Sequence, residues 1–293
     1  MLAVVDSASE ASPGEARWVV ARSVLERRLG NKGRAVELAE QAVKLDPASA
    51  IARCAYGTAL FENINNVGMF SKMSVAGDGE AAYLKALELD PTLTEPRFGL
   101  VQFYANAPGI AGGSLKKARQ HAQALVDLGG RWESSGHSLL AMVAAKDEDW
   151  EEAVKRHRLA SEKATTARDR SDALGALGLM LVREKKDPAA ALSVADEARA
   201  LGVAEDTTAD FVTGLARQQL KQYDLAVPAF REVIRKNPAA VNSRFALAEC
   251  LEKTGDKAGA ASVYEEFASK FPKDGRAADA DSRAKKLRNA LKK

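Results

Sequence analysis

The stretch APGIAGGSLKKA, residues 107–118, gathers the residue types in this chain that most suggest chemistry. Small or bending residues (Pro108, Gly109, Gly112, Gly113) stand just ahead of Ser114, Lys116 and Lys117. A glycine-rich turn feeding a helix can present backbone N–H groups to an anion, so the pattern raises a phosphate site. The spacing argues against it. A phosphate loop of the common type reads G-x-x-x-x-G-K-[ST] between a strand and a helix. Here Ser114 stands five residues after Gly109, no lysine follows it directly, and TEPRFGLVQFYAN ahead of it reads as helix. A dinucleotide turn fails for want of the same strand. What remains is a helix stop at Pro108, flexible glycines, Ser114 as N-cap and a new helix from Leu115. Weak anion contact by that helix N-terminus with Lys116 and Lys117 is the alternative.

Other reactive types are scattered. The three histidines, His121, His137 and His157, form no H-x-x-x-H pair, and no C-x-x-C exists, so no metal site is expected. His137 and His157 share one predicted helix pair and could approach each other; ordinary packing or surface positions explain them as well. Cys54 and Cys250 each lie inside an apolar helical pattern and read as buried free thiols. Two cysteines are too few for a disulfide framework. No serine has the G-x-S-x-G setting of a nucleophile elbow, and Glu151–Glu152 and Glu265–Glu266 fall on polar helix faces. The residues point away from an enzyme, and no catalytic group, metal or cofactor is expected.

The elements around these residues decide more. Of 293 residues 46% are hydrophobic, enough for an extended core, and only 6% are aromatic while alanine abounds, which suits close-packed helices. Forty-three basic residues against 40 acidic give a net charge of +3, and without clustering on one face that is no nucleic-acid footprint. The basic run SRAKKLRNALKK at the C-terminus reads as a solvated helix, or else as a seat for an anionic partner. No apolar run is long enough to span a bilayer. MLAVVDSASEASPGEARW lacks the basic start and long apolar core of a secretion signal. Either the protein stays where it is made, or this is a mature chain whose leader was replaced by a starting methionine.

Self-similarity organises the chain. AVELAEQAVKLDP (35–47), EAAYLKALELDP (80–91), AVPAFREVIRKNP (226–238) and GAASVYEEFASKFP (259–272) are amphipathic helices closed by proline, which turns the chain. Pro238 to Pro272 is a step of 34 residues, the period of the tetratricopeptide repeat. The chain resembles that family at named positions. Ala226, Phe230 and Pro238 match its second-helix small, aromatic and terminal-proline sites, and Ala260, Tyr264 and Pro272 match them one period later. Gly214, Leu177–Gly178 and Tyr56–Gly57 match the close-approach sites of the first helices; Ala153 and His157 occupy the small and aromatic sites of another pair. The resemblance implies an all-α, right-handed superhelical solenoid, one domain over 1–293. Seven helix pairs fall at about 16–47, 50–91, 94–130, 134–165, 171–201, 207–238 and 241–272. A helix at about 276–291 caps the last apolar face.

Two departures stand out. The second pair carries ten extra residues, expected as a long loop at 62–80, and the third about five, the loop at 106–114 quoted first. Long insertions between regular helices are functional suspects. A helix rich in aromatics, then A-P-G-I-x-G-G-S, then a K-A helix, all behind a long insertion, is similar to a group of exported bacterial tetratricopeptide-type proteins. That likeness implies a periplasmic or envelope location and brings no catalytic residues.

In the repeat family the inner groove is lined by certain first-helix sites. Carried over, the resemblance implies a wall that includes Phe61, Phe98, Gln102, Met142, Leu179, Phe211, Leu215 and Phe245, unless several of these belong to the inter-helix core. The lysine and asparagine set with which one subfamily clamps a C-terminal carboxylate is absent. Met69, Phe70 and Met73, with Val67 and Val75, add an apolar cluster in the insertion, which usually needs a partner. Two functions follow as expectations. One is a non-enzymatic scaffold that recognises a protein or peptide segment on its concave face, as part of an envelope assembly. The other is a carrier of a lipid or other hydrophobic small molecule, with the insertion as cover. Nucleic acid is not an expected partner.

Overall fold

The computed structural model describes residues 14–292, and among them every regular element is helical. The chain divides into two compact units, residues up to Asp149 and from Trp150 onward. The first holds α1 (Ala16–Arg28), α2 (Lys32–Leu45), α3 (Ala50–Asn63), α4 (Met69–Leu89), α5 (Glu95–Asn106), α6 (Leu115–Leu128) and α7 (Arg131–Lys146). The second holds α8 (Trp150–Lys163), α9 (Ala167–Arg183), α10 (Pro188–Ala200), α11 (Thr208–Gln219), α12 (Tyr223–Lys236), α13 (Val241–Thr254), α14 (Lys257–Lys270) and α15 (Ala277–Leu291). Inside each unit every helix packs on the next in the chain. First helices also touch first helices of neighbouring pairs: α1 with α3, α3 with α5, α5 with α7, and α9 with α11. This is the all-α repeat of helix pairs that the spacing predicts.

Local chemistry sets the ends. Ser49, Ser114, Thr166, Asp187 and Asp256 are side-chain N-caps, each satisfying an N–H that the helix leaves free. Four second helices stop at Leu45, Leu89, Lys236 and Lys270, each two residues before its proline. Within the first, fifth, sixth and seventh pairs the chain reverses through one left-handed residue two positions ahead of the second helix: Gly30, Lys186, Lys221 or Gly255. The second and third pairs, which hold the extra residues, turn differently.

Packing rests on small residues placed under rings. Tyr83 of α4 is wedged between α3 and α5. A Cβ added at Gly57 would lie 2.7 Å from its Cδ1, and one at Gly99 only 2.3 Å from its Cε2. In the second unit the same device puts Phe230 of α12 against Gly214 of α11, where an added Cβ would come within 2.6 Å. The small-then-bulky steps of the second helices are buried throughout: Gly79 and Tyr83, Ala153 and His157, Ala226 and Phe230, Ala260 and Tyr264. At the C-terminal end α15 buries Ala280, Ala284 and Leu287 against the core shared with α13 and α14, a covered end of the kind repeat stacks require. Three of its basic residues are engaged: Arg283 with Asp279 at 2.9 Å, Lys285 with Asp281 at 2.6 Å, and Arg288 with Glu265 at 2.8 Å.

The insertion differs from expectation. Residues 62–80 are not a long loop. After a 3-10 turn at Ile64–Asn66 the remainder lengthens α4 to 21 residues, against 14 in α2, α6, α12 and α14. No proline interrupts MFSKMSVAGDGEAAYLKALEL. Of its two glycines, Gly79 is required, because the Phe61 ring lies 2.9 Å from where its Cβ would be. The helix cost of these glycines, about 1 kcal/mol each, is offset at Gly79 by that contact.

Two outcomes are expected. Gly99→Val forces a branched side chain into the Tyr83 ring and should cost about 1–3 kcal/mol by overpacking, read as a lower denaturation midpoint in urea. His157 is buried, its Nδ1 has no hydrogen-bond partner, and burial pulls its pKa from 6.5 to about 4. The unfolded chain therefore binds the extra proton between those values. Stability contributed by neutral His157 is whole above pH 6.5 and is lost as the pH falls towards 4, by about 3 kcal/mol at most. Denaturation of His157→Phe across that window should be shallower in pH than that of the parent chain.

Candidate functional site

The two irregular segments of the sequence meet in space. Phe61, at the end of α3, stacks on Tyr83 with centroids 5.4 Å apart and tilts against Phe103 of α5 at 5.2 Å. Tyr83 Oη lies 2.9 Å from Thr58 Oγ1, which also has Glu95 Oε1 at 2.9 Å and the Cys54 carbonyl at 3.0 Å. One hydroxyl proton cannot serve both acceptors, so Tyr83 donates to Thr58 and Thr58 donates onward to one of them. Burial, and then the Glu95 carboxylate, push the Cys54 thiol up to about 12; burial does the same at Cys250. Neither buried thiol supplies a thiolate nucleophile at neutral pH. Among the described residues no three His, Cys, Asp or Glu side chains are grouped to hold a metal.

From the middle of α4, Glu80 reaches the glycine-rich loop's own helices. Its Oε1 accepts from Tyr104 Oη at 2.6 Å and from Lys117 Nζ at 3.1 Å. The Lys117 ammonium also sits 4.9 Å from the centre of the Tyr104 ring. Burial and the adjacent Glu80 raise the Tyr104 pKa. His121, stacked on Tyr104 at 5.8 Å, is held down by burial and then by Arg97 and Lys117. The insertion and the loop are thereby tied into one polar and aromatic cluster.

The loop spends its amides on itself. Ala111 and Gly113 N–H donate to the Pro108 carbonyl at 2.8 and 3.0 Å, Gly112 N–H to Gly109 at 3.1 Å, and Ser114 N–H to Tyr104 at 2.8 Å. Ser114 Oγ then accepts from Lys117 N–H at 3.3 Å, the N-cap anticipated from sequence. Gly112 is left-handed, with φ of 96°, and a Cβ at Gly113 would fall 1.8 Å from the Ala107 oxygen. The glycines are here to close a tight turn.

The residues expected to bind divide into groups. Met69, Phe70 and Met73 stand on the first turns of α4, 82%, 100% and 57% exposed, and cover nothing; Ile110 at the tip of the glycine loop is 87% exposed. Phe98 and Gln102 of α5 are brought to Trp132 and Met142 of α7. The Phe98 and Trp132 rings meet edge-on at 6.0 Å, and Gln102 Nε2 lies 3.8 Å from the Met142 sulfur. Phe61 is half-buried in the aromatic cluster. In the second unit Leu179 and Phe211 open onto a cleft of about 430 Å³ with Thr207, Thr208, Asn237 and Asn242. Leu215 is packed against the core. Phe245 is only 8% exposed, enclosed by Tyr264 and Phe267 and covered by Arg276 and Arg283 at 5.0 and 5.8 Å.

Trp132, Ile110 and the arginine cover escaped the sequence reading. Trp132 sits one residue into α7, outside the first-helix sites considered. Arg276 and Arg283 come from the capping helix and the residue before it, for which the repeat supplies no template.

Comparison with known proteins agrees with this architecture. Residues 20–94 and 211–275 match the tetratricopeptide repeat. No curated protein matches the chain. Yeast Tom70 is similar in structure, with a TM-score of 0.71 and 13% identity over 99% of this chain and 58% of its own. Cut9–Hcn1, an APC/C hetero-tetramer, follows at 0.57 and 17% over 97% and 52%. The chain thus spans little more than half the length of either structure, and at such identities the likeness is one of fold. No helix among the described residues is long and apolar enough to cross a membrane. Helix pairing, buried glycine–aromatic contacts and these matches together make this an all-α repeat protein whose residues 20–94 and 211–275 match the tetratricopeptide repeat.

Proposed function

We propose that the chain is a non-catalytic scaffold that holds a segment of a partner protein on the first-helix face of its first unit. The observation that carries this reading is the set Phe98, Gln102, Trp132 and Met142, in which two rings, an amide and a thioether from α5 and α7 stand side by side. An aromatic edge and a thioether take apolar side chains of varied shape. The Gln102 amide is held by the sulfur and by Asn106, whose Nδ2 donates to Gln102 Oε1 at 3.2 Å; it can turn to a peptide's main chain at small cost. Tetratricopeptide repeat proteins serve generally in protein–protein contact, which supports the class of partner. A place in a bacterial envelope assembly is part of the proposal and rests on the resemblance of the glycine loop.

A hydrophobic small molecule or lipid is the weaker occupant. It needs an apolar chamber, and the clefts of the second unit are mixed. That of about 430 Å³ pairs Leu179 and Phe211 with hydroxyls and amides, and another of about 450 Å³ is lined by Glu249, Glu252, Lys253, Arg283 and Lys286. The lengthened α4 leaves Phe70 fully exposed.

Affinity capture with cross-linking from an extract of the source cells tests the reading. One protein should be retained by the parent chain and lost with Phe98→Glu. Removing one buried aromatic contact of roughly 1.5–3 kcal/mol weakens binding about 10- to 100-fold. Retention of that protein by a Phe98→Glu chain of unchanged melting temperature would refute the proposed face, and stoichiometric lipid in native mass spectra would favour the carrier.

A further inference from the structure

The outer face of α4 carries an apolar stripe that nothing among the described residues covers. Phe70, Met73, Gly77, Ala81 and Leu84 recur at steps of three and four, which confines them to an arc of about 80° along about 21 Å of helix. All five are exposed, Leu84 at 42%, and they lie opposite the buried Ala76, Gly79, Ala82, Tyr83 and Ala86. A Cβ placed on Gly77 meets nothing within 4 Å. Contiguous exposed apolar surface of this kind marks an interaction site.

We propose that this stripe seats a second copy of the chain, helix against antiparallel helix, about a two-fold axis at Gly77. The order of side-chain sizes carries the choice of occupant. An antiparallel copy centred on Gly77 sets Gly77 against Gly77, long Met73 against short Ala81, and Phe70 against Leu84. A parallel copy would stack Phe70 on Phe70 and Met73 on Met73 and leave a void at Gly77 and Ala81. A two-fold contact must be complementary to itself, and this stripe is so in one direction only. Gly77 and Ala81 at its middle allow the axes to approach to about 8 Å. The stripe bears no charge, and two ion pairs beside it are already made within the chain: Lys85 with Glu88 at 2.6 Å and Lys117 with Glu80 at 3.1 Å. Docking therefore strands none of these pairs. A helix contact of this length buries less than the ~800 Å² per partner of a standard interface, so the dimer is weak and concentration-dependent.

Single cysteines in the full chain test both occupant and register, since Cys54 and Cys250 are buried. Under mild oxidation at high protein concentration, Gly77→Cys should give a covalent dimer, because only residue 77 meets its own copy within disulfide reach. Ala81→Cys alone should stay monomeric, and a mixture of Ala81→Cys with Met73→Cys should form the mixed disulfide. In sedimentation equilibrium Phe70→Ser/Met73→Ser should weaken self-association at least tenfold with unchanged melting, while Phe98→Glu leaves it intact. A chain monomeric at every concentration, or self-linking of Ala81→Cys as efficient as that of Gly77→Cys, overturns the proposal. So does a stripe protected only when another protein or phospholipid vesicles are added.

Discussion

The contact on which this architecture depends is a ring of one helix lying on a glycine of the helix beside it. Tyr83 between Gly57 and Gly99, and Phe230 on Gly214, occupy space that any side chain at the glycine would need. A helix pair alone buries too little apolar surface to stand, so each must be stacked on its neighbours. The glycines set how closely that stacking can proceed, and the aromatic rings fill the gap that the close approach leaves.

The insertion shows how strongly this contact constrains the chain. Gly57 and Tyr83 are ten residues further apart in sequence than Gly214 and Phe230, yet ring and glycine meet in the same way. The extra residues are pushed beyond the contact, into a 3-10 turn and two further turns of α4. A second tie, Glu80 with Tyr104 and Lys117, joins the lengthened helix to the glycine loop's flanking helices. Both departures from the repeat period thus converge on one cluster that the regular repeat would not have formed.

The reactive groups of the chain are largely withdrawn into its interior. Thiols are buried and driven towards about 12, loop amides bond to the loop itself, and the histidine at a core aromatic site is kept neutral by burial. Among the groups that reach solvent are apolar and amide ones: Gln102 with the partly exposed Phe98 and Trp132 on one face, Phe70 and Met73 on another. Such surfaces can hold a partner through area and shape, with specificity from the few polar groups set among them.

Helical class, pair spacing, the proline-stopped second helices and the Ser114 cap were legible in the sequence, because each follows from period or from backbone rules acting over a few residues. The course of residues 62–80 was not. The ten extra residues suggested a loop, and only the place of Gly79 beneath Phe61 shows why helix continues there. Nor could sequence position separate Phe98, which is only partly buried beside Trp132, from Phe245, which is sealed beneath two arginines. Both occupy equivalent first-helix sites. What distinguishes them is a neighbour drawn from elsewhere in the chain, and such neighbours are supplied by tertiary packing, which local periodicity does not encode.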